Sequence, residues 1–244
     1  MENITQLFTY KYYKKQFKGW HTQSYILLGV GLLFLFLIGF KDGVNLLSLT
    51  STIAGMLGFT CTLAITEGKP INGILGFVSA LLLCYVAMVT GNYSDILMQL
   101  AYILLLDIPI ILGKWKVFNP RKLQTKHKLQ TLLFFIVTFA LLYGLDTIVL
   151  SSPRPFIDAL SATIGFTGAF LCVRQFSAQY YFWFTQGVMS IVLWLVTAID
   201  GHAVWVLFFT YMLYLANNII AFTVSHWFKH DKNNVSHEHS KHFK

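Results

Sequence analysis

The 244-residue chain is 56% hydrophobic and only 11% charged, with a formal net charge of +8 and a mean hydropathy of +0.61. A soluble domain carries about 25% charged residues, so a water-facing globular protein is excluded and most of this surface must face lipid. Cys61, Cys84 and Cys172 sit in apolar runs without CxxC or Cys/His spacing, which points to buried thiols and to neither a disulfide framework nor a zinc site.

Apolar runs of about 20 residues, enough as helix to cross a hydrocarbon core of about 30 Å, recur along the chain and predict an all-α polytopic membrane protein with eight spans. Residues 1–21 form a basic tail containing Lys11, Lys14, Lys15 and Lys18. The first span, about 22–40 in the segment 22–43, is read as uncleaved because no small-residue cleavage pattern follows "LFLIGF". Spans at about 44–66, 71–90 and 95–113 make a first three-helix unit, 44–115. The second span carries Ser51, Gly55 and Gly58 on one stripe, the third Gly76 and Ser79. Such stripes let helix backbones approach closely where lipid removes the hydrophobic drive. The fourth span carries Gln99 and Tyr102 on one face, then Asp107. An acid near mid-span is a functional hypothesis by default. Asp107 could serve a proton, a cation or a positively charged ligand, or be satisfied locally at the kink that Pro109 introduces.

A basic loop and a connector span at about 130–149 fill residues 116–155. Spans at about 156–174, 179–198 and 203–226 then make a second three-helix unit, 156–227. Arg154 and Asp158 are spaced to pair at its outer start. Ser161, Gly165 and Gly168 repeat the first unit's stripe at an offset of 110 residues. At an offset of 111, Gly76 matches Gly187, Ser79 matches Ser190 and Asp107 matches Asn218, and a Trp closes each unit, at Trp115 and Trp227. With one connector between them, both units enter the membrane in the same direction, a parallel repeat whose seam is the expected place for a substrate.

In the seventh span Gln179, Trp183, Gln186, Ser190 and Trp194 fall within an arc of about 80°. Indoles beside amides suit a planar heterocycle; the alternative is interhelical hydrogen bonding with an interfacial Trp belt. The eighth span adds Tyr211, Tyr214 and Asn218 within about 60° of arc, with Asn217 further round, a set suited to a hydroxyl-rich ligand such as a ribose. The His- and Lys-rich tail, 228–244, holds His237 and His239 in no recognised ligand spacing and is expected to be disordered, with no metal or cofactor indicated.

Placing the N-terminus in the cytoplasm puts sixteen of the eighteen Lys and Arg on the inner side, leaving Lys41 and Arg154 outside. Both termini are therefore expected to be cytoplasmic, and the positive charge serves topology and anionic lipid headgroups rather than nucleic acid. No phosphate-binding loop, HExxH or GxSxG motif is present, so an enzyme is not expected.

These residues resemble the PnuC family of vitamin B3 (nicotinamide riboside) transporters. "TIAGMLG" through "GKW", Thr52 to Trp115, resembles its first repeat, and "RQFSAQYYFWFTQGVMS" at 174–190 resembles the stretch before and within its second-last helix. Where that family typically has N-W-x-x-W, this chain has Gln179-Tyr180-Tyr181-Phe182-Trp183, and Asp107 stands where a neutral residue is usual. The resemblance covers about 50–227 and implies a SWEET-like core of three plus one plus three helices behind an added N-terminal helix. It further implies facilitated diffusion of nicotinamide riboside across the cell membrane, with a separate cytoplasmic kinase trapping the product; a homo-oligomer is left open. Relatives of this fold associated with thymidine or riboflavin are the alternative cargo, with proton coupling through Asp107. Family binding positions map onto Gln99, Trp183, Asn217 and Asn218. Tyr102, Asp107, Gln186, Ser190, Tyr211 and Tyr214 join the expected site from the stripes, and Tyr180 from its place at the first Trp of the family's motif.

Overall fold

The computed structural model describes residues 9–41, 43–115, 117–149, 155–202 and 204–228. Its helices are α1 (Tyr10–Gln16), α2 (Thr22–Gly39), α3 (Leu46–Thr66), α4 (Asn72–Val89), α5 (Tyr93–Tyr102), α6 (Ile108–Ile111), α7 (Thr125–Ile148), α8 (Pro155–Val173), α9 (Gln179–Thr197) and α10 (Trp205–Val224). Among the described residues seven stretches are long and apolar enough to cross a membrane: α2, α3, α4, α7, α8, α9 with its extension to Gly201, and α10. Among the described residues there is no strand, and an isolated bridge joins Arg121 to Phe176. Arg154 and the tail from 229 onward, with His237 and His239, lie outside the described residues.

The expected fourth span is broken. Between α5 and α6 the chain makes a π-helical turn over Ile103–Asp107, in which the Ile108 N–H reaches back five residues to the Ile103 carbonyl. Pro109 follows at once; it has no N–H for the ordinary four-residue bond, and a wider turn accommodates the frustrated ladder. The helix ends at Gly113, whose φ of 97° is open to glycine without strain. The connector helix α7 begins at Thr125, about five residues before the expected start, so Lys126 and Lys128 belong to its first turn.

Hydroxyl-rich helices are tolerated because their hydroxyls are satisfied locally. In α3 Thr50, Ser51, Thr52 and Thr60 each donate to the carbonyl one turn back, at 2.6–2.8 Å. Thr163 and Thr167 in α8 and Thr210 in α10 do the same. The start of α3 is fixed by a reciprocal cap, Ser48 N–H donating to Asn45 Oδ1 at 2.8 Å and Asn45 N–H to Ser48 Oγ at 2.9 Å. By contrast α2 and α7 keep most of their apolar surface outward, with Leu37 62% and Leu141 70% exposed. That surface is what lipid would cover.

The two three-helix units are crossed rather than side by side. The first helix of each packs on the last helix of the other, α3 on α10 and α8 on α5. Glycine makes both approaches possible. A Cβ at Gly55 would stand 2.5 Å from Thr210 Oγ1, and one at Gly58 would stand 2.2 Å from the Tyr214 hydroxyl. At the equivalent contact a Cβ at Gly165 would lie 2.8 Å from the Tyr102 hydroxyl and 3.0 Å from Met98 Sδ. Gly55 and Gly165 are 110 residues apart, and their partners Met98 and Thr210 are 112 apart. Trp115 and Trp227 meet at the basic end with ring centroids 5.7 Å apart, and Trp227 Nε1 donates to the Ile65 carbonyl at 2.8 Å.

α2 lies across the seam. A Cβ at Gly31 would meet both Phe59 of α3, at 2.4 Å, and Leu213 of α10, at 3.3 Å. Residues 10–21 dock rather than trail. Gln16 accepts from the Ile71 N–H, Lys69 Nζ donates to the Lys18 carbonyl, and buried Glu67 accepts from Ser24 Oγ at 2.5 Å and pairs with His21 Nδ1 at 3.0 Å. Losing an acceptor in such a buried group costs about 1–3 kcal/mol. Glu67→Ala is expected to lower the melting temperature of the detergent-solubilised protein accordingly, and Ser24→Ala by less. Equal melting of Glu67→Ala and the parent would show that the docking carries no stability.

Candidate functional site

Where the crossed units diverge a cavity opens, with about 840 Å³ of empty space counted to its open side. Its walls come from α3, α4, the α5–π-turn segment, α9 and α10. Ten of the eleven residues expected at the site line it: Gln99, Tyr102 and Asp107 from one wall, Tyr180, Trp183 and Gln186 from α9, and Tyr211, Tyr214, Asn217 and Asn218 from α10. Ser190 does not. It sits behind the cavity, its Oγ accepting from Gln186 Nε2 at 3.3 Å, and so orients a lining residue.

The α9 stripe divides by depth. Gln179 and Trp194 are buried but outside the lining, so no pair of indoles sandwiches the space. Trp183 reaches it because Gly168 gives way: a Cβ there would stand 2.4 Å from the indole Nε1. The ring thus fills, beside α8, the kind of room that the Tyr214 hydroxyl fills beside Gly58 of α3. Gln186 is held by three neighbours, Met98 Sδ at 3.0 Å and the Ser161 and Ser190 hydroxyls at 3.3 Å. Tyr180, 1% exposed, shares a hydrogen bond of 3.2 Å with Thr66 and packs edge-on against Trp183 and Trp227. It joins the cavity to the aromatic cluster at the basic end.

On the opposite wall the Gln99 amide nitrogen lies 3.4 Å from both oxygens of Asp95, which leaves its carbonyl oxygen for a ligand. Asn217 Nδ2 donates to the Thr62 carbonyl at 3.1 Å. Two buried oxygens in the lining find no donor among the described residues, Asn217 Oδ1 and Asp107 Oδ2. Asp107 is only 2% exposed. The π turn presents it to the cavity, and its other oxygen fits against α4 because residue 76 is glycine, a Cβ there standing 2.3 Å from Oδ1. An orphaned buried acceptor costs about 1–3 kcal/mol, so the site is built to receive donors. Five aromatic rings, Tyr102, Tyr180, Trp183, Tyr211 and Tyr214, supply the rest of its shape.

The sequence reading missed the α3 wall, Gly58, Cys61 and Thr62, and Asp95 behind Gln99. The small stripe was legible as a packing device, and the four-residue step from Asp95 to Gln99 was the signal for the other. Among the described residues no three His, Cys, Asp or Glu side chains come together as metal ligands.

The family model described as nicotinamide mononucleotide transporter matches residues 48–229. Among solved structures, the crystal structure of the vitamin B3 transporter PnuC is similar, with a TM-score of 0.72 at 17% sequence identity, covering 88% of this chain and 95% of that one. At that identity the likeness is one of fold. No curated protein matches the chain.

Each of Tyr180→Phe and Thr66→Ala is expected to cost about 0.5–1.5 kcal/mol in stability. The double variant should cost less than their sum, since both remove one bond. Thermal denaturation in detergent measures all three, and strictly additive losses would mean that the two hydroxyls do not interact.

Proposed function

The chain belongs to the nicotinamide mononucleotide transporter family, its match spanning 48–229, and on that premise we propose that its own cargo is nicotinamide riboside, moved by facilitated diffusion. The observation that carries this reading is the charge of the cavity. Among the described residues its lining includes no Lys, Arg or His, and Asp107 is its carboxylic acid. The phosphate of a mononucleotide would enter with no cation to balance it and an acid already present, a costly burial. The riboside brings instead a flat ring for the aromatic walls, and an amide and hydroxyls as donors for Asn217 Oδ1, Asp107 Oδ2 and the Gln99 carbonyl. Trapping then falls to a separate cytoplasmic kinase.

The topology proposed with it has α5, the π turn and α6 together as an eighth crossing. Both termini are cytoplasmic in the cell membrane, and the two triplets form a SWEET-like parallel pair with α2 added and α7 as connector. The crossed packing of α3 on α10 and α8 on α5 supports the pairing. The basic loops that follow α3, α6 and α8 support the orientation. Release toward that side must displace Tyr180, whose ring closes the cavity against Trp227 at 5.7 Å.

Calorimetry on the purified protein should detect the riboside and not the mononucleotide, thymidine or riboflavin. Trp183→Ala should weaken riboside binding at least tenfold. Tight binding of the mononucleotide would overturn the assignment.

In proteoliposomes the riboside should equilibrate and no further, with or without an imposed pH gradient. Accumulation that tracks the gradient and vanishes in Asp107→Asn would replace facilitated diffusion by proton coupling.

A further inference from the structure

Asp107 departs from its counterpart in the second unit, the amide Asn218. Both line the cavity, so the pseudo-symmetric pair has been made electrostatically unequal at one position. The carboxylate is not there to hold helices together. Among the described residues Oδ2 has no hydrogen-bond partner, and no Lys, Arg or His forms an ion pair with the group. Asp95, also buried, stands one layer behind on the same wall, its oxygens facing the Gln99 amide. Two acidic side chains thus stand on one wall, and among the described residues the lining holds no Lys, Arg or His to pair with either.

A lone buried carboxyl gives up its charge, and takes it again only when a partner of opposite sign stands beside it. Here the open direction is the cavity. An ammonium group would satisfy Asp107 but not the rings. A cation spread over a flat ring satisfies both, through the carboxylate and through the faces of Trp183 and the tyrosines. We propose that the site selects ligands carrying a permanent positive charge on a planar ring, an N-ribosylated pyridinium, with Asp107 as the counter-charge that determines this specificity. The inference rests on the riboside reading and sharpens it: the chain recognises the charge state of the base as well as the sugar. Gly76 is the positioning residue. Its missing side chain lets the carboxylate sit against α4, and Gly76→Ala forces Oδ1 from its place.

The test compares two ligands of one shape on the purified full chain, nicotinamide riboside and its neutral isostere in which a benzamide ring is carbon-linked to the ribose. Calorimetry should find the cation bound at least tenfold more tightly by the parent protein. The ratio should fall toward one in Asp107→Asn, recover in part in Asp107→Glu, and shrink in Gly76→Ala. Because the first comparison needs no variant, misfolding of a mutant cannot obscure it. Equal binding of the two ligands by the parent protein would overturn the charge inference while leaving the riboside reading intact. Binding of neither would overturn the riboside reading itself, and the inference with it.

Discussion

The architecture depends on close approach of helix backbones at four glycines. Gly55 and Gly58 admit Thr210 and Tyr214, Gly165 admits Tyr102 and Met98, and Gly168 admits Trp183. Lipid tails are as apolar as leucine, so burial gives two helices no reason to prefer each other; van der Waals contact at short range does. Three of the residues admitted, Tyr102, Trp183 and Tyr214, also line the cavity. The contacts that hold the units together therefore set the distance between the walls of the site, and stability and specificity are fixed by the same atoms.

The second organising constraint is polar satisfaction. Most hydroxyls in the spans are bonded to a carbonyl of their own helix, which removes them from any need for partners elsewhere. Against that background the two unmatched oxygens in the cavity, on Asp107 and Asn217, stand out. A chain that pairs hydroxyls so consistently at packing positions has left these acceptors at the one place where a small molecule can complete them.

Hydropathy made seven spans legible, and spacing picked out most of the ten expected residues that line the cavity, because each depends on a local period that a chain must keep to bury one face. Depth was not legible. An arc of about 80° on one helix covers both a cavity wall and the layer behind it, which is why Ser190, Gln179 and Trp194 share a stripe with Trp183 and Gln186 yet lie outside the lining. The break in the fourth span was half visible. Pro109 announced a disturbed ladder, but whether it becomes a kink or a wider turn depends on how neighbours such as Gly73 and Gly76 of α4 receive the displaced residues. Gly58 and Gly168 are equivalent in the sequence and differ in effect, because what fills the room beside a glycine is decided by its partner helix.

α2 touches the first unit through Phe59 and the second through Leu213, both at Gly31, and its base is tied to the α3–α4 turn through Glu67. A helix laid over a joint and held on both sides acts as a clamp, and Phe34 adds an edge-on contact to Phe209 of α10 with ring centroids 5.1 Å apart. Hydrogen bonds anchor it to one side and apolar contacts grip the other, so shortening the side chains at residues 34 and 213 would loosen the clasp on α10 while leaving the anchor at Glu67 intact.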